Sequence, residues 1–192
     1  GDITSWEWLE SDVSSYTLAR AVQDLEADQI NVHINSYGGE VAEGLAICNS
    51  LKNHPARVRT VCDGFACSAA SVVFMAGDER VMNPASLLMV HNAWTNASGN
   101  ARELRKAADD LDVITSASVE TYKARVNLSD GELAALLDNE TWITPADAVA
   151  WGFATEVLEE PQAETASQSA RAAVFQALTA AEQPPAPPPP PR

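Results

Sequence analysis

Short apolar stretches alternate with helix-like segments along most of this sequence, and this alternation constrains the possible folds more than any other feature. The apolar stretch 30–34 is followed by apolar residues at helical spacing from Val41 to Leu51. The alternating stretch 57–63 is followed by the apolar segment 68–76, which predicts a short helix. Strands that alternate with helices form a sheet whose parallel strands are joined by crossover helices. The sequence therefore predicts an α/β domain.

The alternation continues in the second half of the chain. Residues 86–91 form a continuous apolar run, which predicts a strand buried on both faces. Residues 100–126 predict one long helix with an apolar side. Ser129 begins a capping box that opens a further helix, and Thr144, with a proline after it, opens another. Residues 153–157 are expected to complete the domain as a closing strand.

The composition changes near residue 160. Residues 161–192 are rich in alanine and proline and carry two acidic and two basic residues, so the charge of the chain lies before them. Seven prolines fall within positions 184–191, a composition that predicts extended polyproline. We therefore expect a folded domain over residues 1–160 and a tail or linker over 161–192, disordered or partly helical.

The charge balance excludes several classes of function. The chain of 192 residues has 12 Lys and Arg against 27 Asp and Glu, a net charge of −15. Phosphate neutralisation requires a basic face, so this balance opposes nucleic-acid binding, and it also opposes adhesion to anionic membranes. No apolar stretch is long enough to span a bilayer. A soluble, acidic protein of the cytoplasm is expected.

The cysteines and histidines do not form the spacing of a metal site. An odd number of cysteines in apolar surroundings predicts reduced, buried thiols at Cys48, Cys62 and Cys67. The three histidines lack the paired or i, i+4 spacing that zinc sites use. We therefore expect neither a metal ion nor another cofactor.

Three segments carry groups with possible chemistry. A glycine pair at 38–39 follows the first strand and would let backbone N–H groups face a ligand, although a tight turn explains it equally well. Ser68 begins a short apolar helix among small residues, where it is either a helix cap or a nucleophile beside free N–H groups. His91 ends the strand 86–91 and is either a satisfied core side chain or a base.

The order of these segments resembles a known family. The sequences NSYGG, GFACSAAS and MVHNAW, each at a strand end, are similar to those of the Clp-type serine peptidases of the ClpP/crotonase superfamily. The resemblance extends from about residue 2 to residue 158. It implies a ClpP/crotonase-like spiral of β-β-α units, with the long helix 100–126 as the element that joins rings.

The resemblance also implies roles for individual residues. Ser68 corresponds to the nucleophile and His91 to its general base. The backbone N–H groups of Gly38 and Ala69 correspond to the oxyanion hole. Tyr37 stands where the family usually has proline, so the geometry of this turn departs from the pattern.

The third member of the triad has two candidates. The family's acid precedes an aromatic–apolar–Ser/Thr run, and aligning that run on residues 142–144 places Glu140 at the acid position. Glutamate is one methylene longer than aspartate but orients the imidazole in some Ser-His-Glu hydrolases. Asp138 lies two residues upstream and is held in reserve. A surface role for Glu140 is the remaining alternative.

Residues 98–114 and 140–157 resemble more narrowly the head maturation, or prohead, proteases of tailed phages. This branch implies a serine endopeptidase that cleaves scaffold and capsid precursors. It also implies a homo-oligomeric ring, portal or capsid partners, and a location in the host cytoplasm or prohead interior. The stretch 160–170 would be a self-cleavage site.

Three other functions stay open. The first is a ClpP-like proteolytic subunit that works with an ATPase, although the short segment before the domain weakens the expectation of that partner. The second is a crotonase-type acyl-CoA enzyme. The third is a non-catalytic oligomeric scaffold module.

Overall fold

The computed structural model describes residues 1–159, and the tail expected over 161–192 lies outside them. The described chain contains six helices and six strands. In chain order these are α1 (Ser15–Gln23), β1 (Gln29–Ser36), α2 (Val41–Lys52), β2 (Arg57–Cys67), α3 (Ala69–Phe74), β3 (Glu79–Met82), β4 (Leu87–Val90), α4 (Ala101–Lys123), α5 (Asp130–Asp138), β5 (Thr141–Ile143), α6 (Pro145–Trp151) and β6 (Glu156–Val157).

The strands form one mixed sheet organised around β2. The order is β5-β4-β2-β3-β6, and β1 also pairs with β2. All pairs are parallel except β4 with β5. The first part of β2 pairs with β3 and its last residues pair with β4, so β2 changes its neighbour along its length. The predicted α/β class is confirmed.

The strand β2 is longer than expected. The sequence pattern predicts its end near residue 63, whereas it continues to Cys67, the residue directly before Ser68. Three elements were not predicted from the sequence: the helix α1, the four-residue strand β3 and the three-residue strand β5. Only tertiary pairing stabilises strands this short, so periodicity alone does not reveal them.

The expectation that 86–91 is buried on both faces is wrong. Leu88 and Val90 are buried in β4, but Leu87 and Met89 are only half-buried. One face of this strand packs on the core, whereas Met89, on the other face, lines an open cleft.

The long helix forms close to its expected bounds, from residue 101 to 123. Other elements of the described residues, 1–159, leave most of its apolar side uncovered. Tyr122 is its only fully buried residue, whereas Leu104 and Ile114 are 43% and 41% exposed.

Local capping determines the last helices. Ser129 forms the expected capping box with Glu132 at the start of α5. Thr144 accepts a hydrogen bond from the backbone N–H of Asp147, and Gly152 ends α6 at a left-handed φ of 84°. The side chain of Arg80 then holds the segment after α6, because its Nε donates to the Phe153 carbonyl at 2.8 Å.

The core lies between the sheet and the helices α2 and α3. Every residue of α3 is buried, and Cys48 and Leu51 of α2 are fully enclosed. The two helices approach each other closely at Gly44. A Cβ placed on this glycine would lie 3.0 Å from the Cβ of Ala69. This packing fixes the position of α3 and of the residue that precedes it, Ser68. Within residues 1–159, no helix has the length and apolar character needed to cross a membrane.

Candidate active site

The ends of β2 and β4 bring a serine and a histidine together. Ser68 directly follows β2 and His91 directly follows β4, two strands that pair in parallel. The Ser68 N–H donates to the Met89 carbonyl at 2.9 Å, which extends the pairing by one residue. The hydroxyl oxygen of Ser68 lies 2.7 Å from Nε2 of His91, a hydrogen-bonding distance.

The backbone at Ser68 is strained. Its φ is 54° and its ψ is −126°, and only one other non-glycine residue of the described chain, Glu140, has a positive φ. Ser68 stands at the N-cap position of α3, but its side chain makes no capping hydrogen bond. The hydroxyl contacts His91 instead. The chain turns sharply here, so the side chain faces out of the sheet while α3 returns into the core.

The turn that carries Gly38 lies against Ser68. Gly38 has φ 106°, and a Cβ on it would lie 2.7 Å from both the Ser68 Cβ and the Cys67 carbonyl oxygen. Only glycine permits this approach. Ile3 supports the turn from the N-terminal segment, because its N–H donates to the Gly38 carbonyl at 2.8 Å. Tyr37 leaves the turn intact and packs edge-on against Phe65.

The two predicted oxyanion donors differ in their present partners. The Ala69 N–H makes no hydrogen bond to another group of residues 1–159. The Gly38 N–H donates to the Ser36 hydroxyl at 3.0 Å. The Ala69 N–H is therefore available to a ligand, whereas Gly38 requires the Ser36 side chain to rotate away.

Within residues 1–159, neither of the two candidate acids, Glu140 and Asp138, is hydrogen-bonded to the imidazole of His91. Glu140 lines the same cleft as Ser68 and His91, at a strained φ of 47°. Asp138 lies outside the lining and accepts a hydrogen bond from the Asn92 side chain at 2.8 Å. Geometry thus favours Glu140 without assigning it a role.

These groups open into a cleft of about 710 Å³. Its walls are mixed, with apolar side chains such as Val41 and Trp94 beside the carboxylates of Asp2, Glu40 and Glu140. Among residues 1–159, no lysine or arginine lines the cleft. Such a cleft suits an extended polypeptide better than a ligand with several phosphates.

The other potential nucleophiles and metal ligands of the described chain do not join the Ser68–His91 pair. Burial raises the pKa of the Cys67 thiol to about 11, so the cysteine beside Ser68 stays protonated. Outside the cleft, His33 lies 2.9 Å from Asp63, and Nδ1 of His54 accepts from the Ala56 N–H. In the part of the chain that the structure describes, no group of three or more potential ligands is placed to hold a metal ion.

Two buried residues beside Ser68 were not predicted from the sequence to belong to the site. Ser71 and Tyr122 meet through their hydroxyl groups at 2.7 Å, and Tyr122 lines the cleft. They are 51 residues apart, and no local motif links them. The sequence signals only that Tyr122 lies on the apolar side of the long helix.

Comparison with known proteins identifies close similarity to one family. The profile described as Clp protease matches residues 11–161. The chain is 31% identical over 134 residues to the ATP-dependent Clp protease proteolytic subunit of Deinococcus radiodurans, covering 69% of this chain and 66% of the relative. It is also 31% identical over 143 residues to the ATP-dependent Clp protease proteolytic subunit 2 of Thermobifida fusca, covering 73% of this chain and 70% of the relative. The chain thus spans about two thirds of the length of these curated relatives.

The close approach of Gly38 to Ser68 predicts that adding a methyl group at residue 38 will slow the reaction of Ser68 with a fluorophosphonate. In Gly38→Ala, the new Cβ meets the Ser68 Cβ and adopts a φ that costs about 1–3 kcal/mol for a non-glycine residue. We expect the rate at which a fluorophosphonate modifies Ser68 to fall at least about tenfold, measured by intact-protein mass spectrometry.

Gly131→Ala is the matched control, because nothing lies within 4 Å of a Cβ placed there. It should react at the wild-type rate. A folded Gly38→Ala protein that also reacts at the wild-type rate would contradict the close approach described above.

Proposed function

This chain belongs to the Clp protease family, and we propose that it hydrolyses polypeptides as a serine endopeptidase, through an acyl-enzyme on Ser68. The family membership confirms the enzyme class expected from the sequence, a serine peptidase. One observation carries the assignment of residues: the 2.7 Å contact between Ser68 Oγ and His91 Nε2 within the cleft.

The first chemical step uses this contact. Nε2 of a neutral His91 accepts the Ser68 proton while Oγ attacks the carbonyl carbon of the scissile peptide. The imidazolium then returns that proton to the leaving amine as the carbon–nitrogen bond breaks, which leaves an acyl-enzyme. A water molecule, deprotonated by His91, attacks the acyl carbon and releases the new carboxyl group. The Ser68 hydroxyl is restored.

Backbone N–H groups stabilise the negative charge of the intermediate. We assign the main donation to Ala69, whose N–H has no partner within residues 1–159. Gly38 contributes the second N–H once a ligand displaces the Ser36 hydroxyl. Donors held rigidly at the developing charge are typically worth about 10²–10³ in rate each.

The third member of the triad is proposed as Glu140, with Asp138 in reserve. His91 accepts at Nε2 only when its proton is on Nδ1, and an acid at Nδ1 holds that tautomer. Glu140 lies in the cleft, whereas the Asp138 carboxylate is engaged by Asn92. The position of Glu140 on the cleft supports this choice, whereas Asp138 would first have to release Asn92.

The proposed substrates are scaffold and capsid precursors of a tailed phage, cleaved by a homo-oligomeric ring of this chain that meets portal or capsid proteins. The similarity of residues 98–114 and 140–157 to prohead proteases supports this choice. The exposed Leu104, Val113 and Ile114 of α4 support assembly, because apolar groups of this size favour a covering partner.

A second candidate follows from the curated relatives, which are proteolytic subunits of ATP-dependent Clp proteases. On this alternative an ATPase unfolds the substrate and feeds it to the chain. The acyl-CoA alternative is weaker, because the part of the cleft wall formed by residues 1–159 has no lysine or arginine for the CoA phosphates. The non-catalytic scaffold module is also weaker, because it does not explain the contact between Ser68 and His91.

The first test is active-site labelling. A fluorophosphonate probe should modify Ser68 in the wild-type chain and leave Ser68→Ala unmodified, with the site read by peptide mass spectrometry. Ser116→Ala is the matched control, because its exposed hydroxyl donates to the Val113 carbonyl and Ser116 is not among the cleft-lining residues of the described chain, so its Ser68 peptide should label as in wild type. Wild-type protein that stays unlabelled at Ser68, although folded and assembled, would contradict an activated nucleophile.

A pair of charge-neutral variants decides the acid. Glu140→Gln should lower kcat on a peptide substrate by about 10²-fold or more, because the imidazole loses its orienting partner. Asp138→Asn should keep kcat within a few-fold of wild type. The reverse pattern would assign Asp138, and small effects in both would indicate a Ser–His dyad.

The substrate class is tested with purified scaffold–capsid precursor. We expect wild-type protein to cleave it without nucleotide, and Ser68→Ala to leave it intact on the same gel. Cleavage that requires an added unfoldase and ATP would favour the proteolytic-subunit alternative over the phage assignment.

A further inference from the structure

A buried chain of hydroxyl groups lies directly behind the nucleophile. The Ser71 hydroxyl lies 2.6 Å from the Ser68 carbonyl oxygen and 2.7 Å from the Tyr122 hydroxyl. Ser71 is 1% exposed and Tyr122 is 2% exposed, so both side chains are shielded from bulk solvent. Buried polar groups need partners within the protein, and here they find them in each other.

The direction of each hydrogen bond is determined by counting protons. The Ser68 carbonyl has no proton, so Ser71 must donate to it. A serine hydroxyl has a single proton, so the contact with Tyr122 must be donated by the phenol. The chain therefore runs from the Tyr122 O–H to the Ser71 hydroxyl and on to the Ser68 carbonyl. Burial raises the pKa of Tyr122 to about 12, so this donor keeps its proton at neutral pH.

The carbonyl at the end of this chain belongs to the same peptide unit as the Ala69 N–H. A trans peptide is planar, and its C=O and N–H point in opposite directions. The Ser68 carbonyl also accepts from the backbone N–H groups of Ser71 at 2.9 Å and Val72 at 3.4 Å. With its carbonyl held inward by these donors, the peptide directs the Ala69 N–H outward, on the side of the cleft.

We propose that Tyr122 and Ser71 are positioning residues, which orient the Ala69 N–H toward the oxyanion by holding the Ser68 carbonyl. The inference rests on the proposed function of the Ala69 N–H. It helps to explain why a strained backbone persists at Ser68: rotation of this peptide would break the side-chain hydrogen bond from Ser71 as well as the two backbone hydrogen bonds. It also gives the one fully buried residue of α4 a part in the reaction.

The test removes one hydroxyl at a time. Tyr122→Phe keeps the aromatic ring, whose centroid lies 5.8 Å from that of Phe153. Ser71→Ala removes the hydroxyl at the centre of the chain. Both should lower kcat on a peptide substrate about 10-fold to 100-fold and leave KM within about twofold, because the oxyanion develops only once Ser68 attacks and is absent from the bound substrate. A peptide aldehyde, which forms an oxyanion on Ser68, should lose affinity by the same factor as kcat/KM.

The double variant tests whether Tyr122 and Ser71 act through one connected chain of hydrogen bonds, called the relay here, or contribute separately. Because each residue acts through the same carbonyl, Tyr122→Phe with Ser71→Ala should be about as slow as the slower single variant. Losses that multiply would overturn the relay. So would a kcat within twofold of wild type in the folded single variants. A purely structural role would lower the melting temperature and leave kcat and aldehyde affinity unchanged.

Tyr16→Phe is the matched control, since the Tyr16 hydroxyl is on an exposed side chain and accepts from Arg20 outside the cleft. It should change neither kcat nor aldehyde affinity. If the wild-type protein neither hydrolyses peptides nor reacts with a fluorophosphonate, the proposed function fails. In that case, the crystal structure of the double variant tests the relay by itself, through the orientation of the Ser68–Ala69 peptide. A rotated or doubly populated Ser68–Ala69 peptide supports it, and an unchanged peptide overturns it.

Discussion

The pairing of β2 with β4 is the interaction on which the site depends. Three consecutive residues of β2, ending at Cys67, align with the three residues of β4 that end at Met89. The hydrogen bond from the Ser68 N–H to the Met89 carbonyl continues this register into the turn. Because side chains alternate between the faces of a sheet, a shift of one residue would turn His91 away from Ser68. The Ser68–His91 contact, proposed as the catalytic pair, is thus a consequence of strand register.

The strain at Ser68 is offset by the burial of α3, the helix that begins at the next residue. A positive φ at a non-glycine residue costs about 1–3 kcal/mol. The six residues of α3 are all buried, and each large apolar side chain among them, such as Phe74, contributes about 1.5–3 kcal/mol by leaving water. The turn can therefore adopt an unfavourable backbone because α3 is held firmly against α2 and the sheet. Exposure of the hydroxyl and rigidity of the backbone arise from the same arrangement.

Sequence reasoning succeeded where the signal is local. The capping box at Ser129, the Thr144–Pro145 helix start and the glycine pair after β1 depend on residues within one turn of each other, and all are recognisable in the sequence. The prediction failed where the deciding partner is distant in the chain. The face of β4 that carries Met89 is open because a cleft lies over it, and the short β3 and β5 form only because neighbouring strands accept them.

The amino-acid sequence by itself determined the α/β class, the acidic character of the chain and the candidate pair Ser68 and His91, because residue type, periodicity and motif order are properties of the chain. The tertiary structure decided the contacts that make these residues a site. It set the 2.7 Å separation of Ser68 and His91, placed Glu140 on the cleft and Asp138 against Asn92, and buried Tyr122 beside Ser71. These are distances between residues 23 to 51 positions apart. Only packing and strand register determine such distances, and no local pattern encodes them.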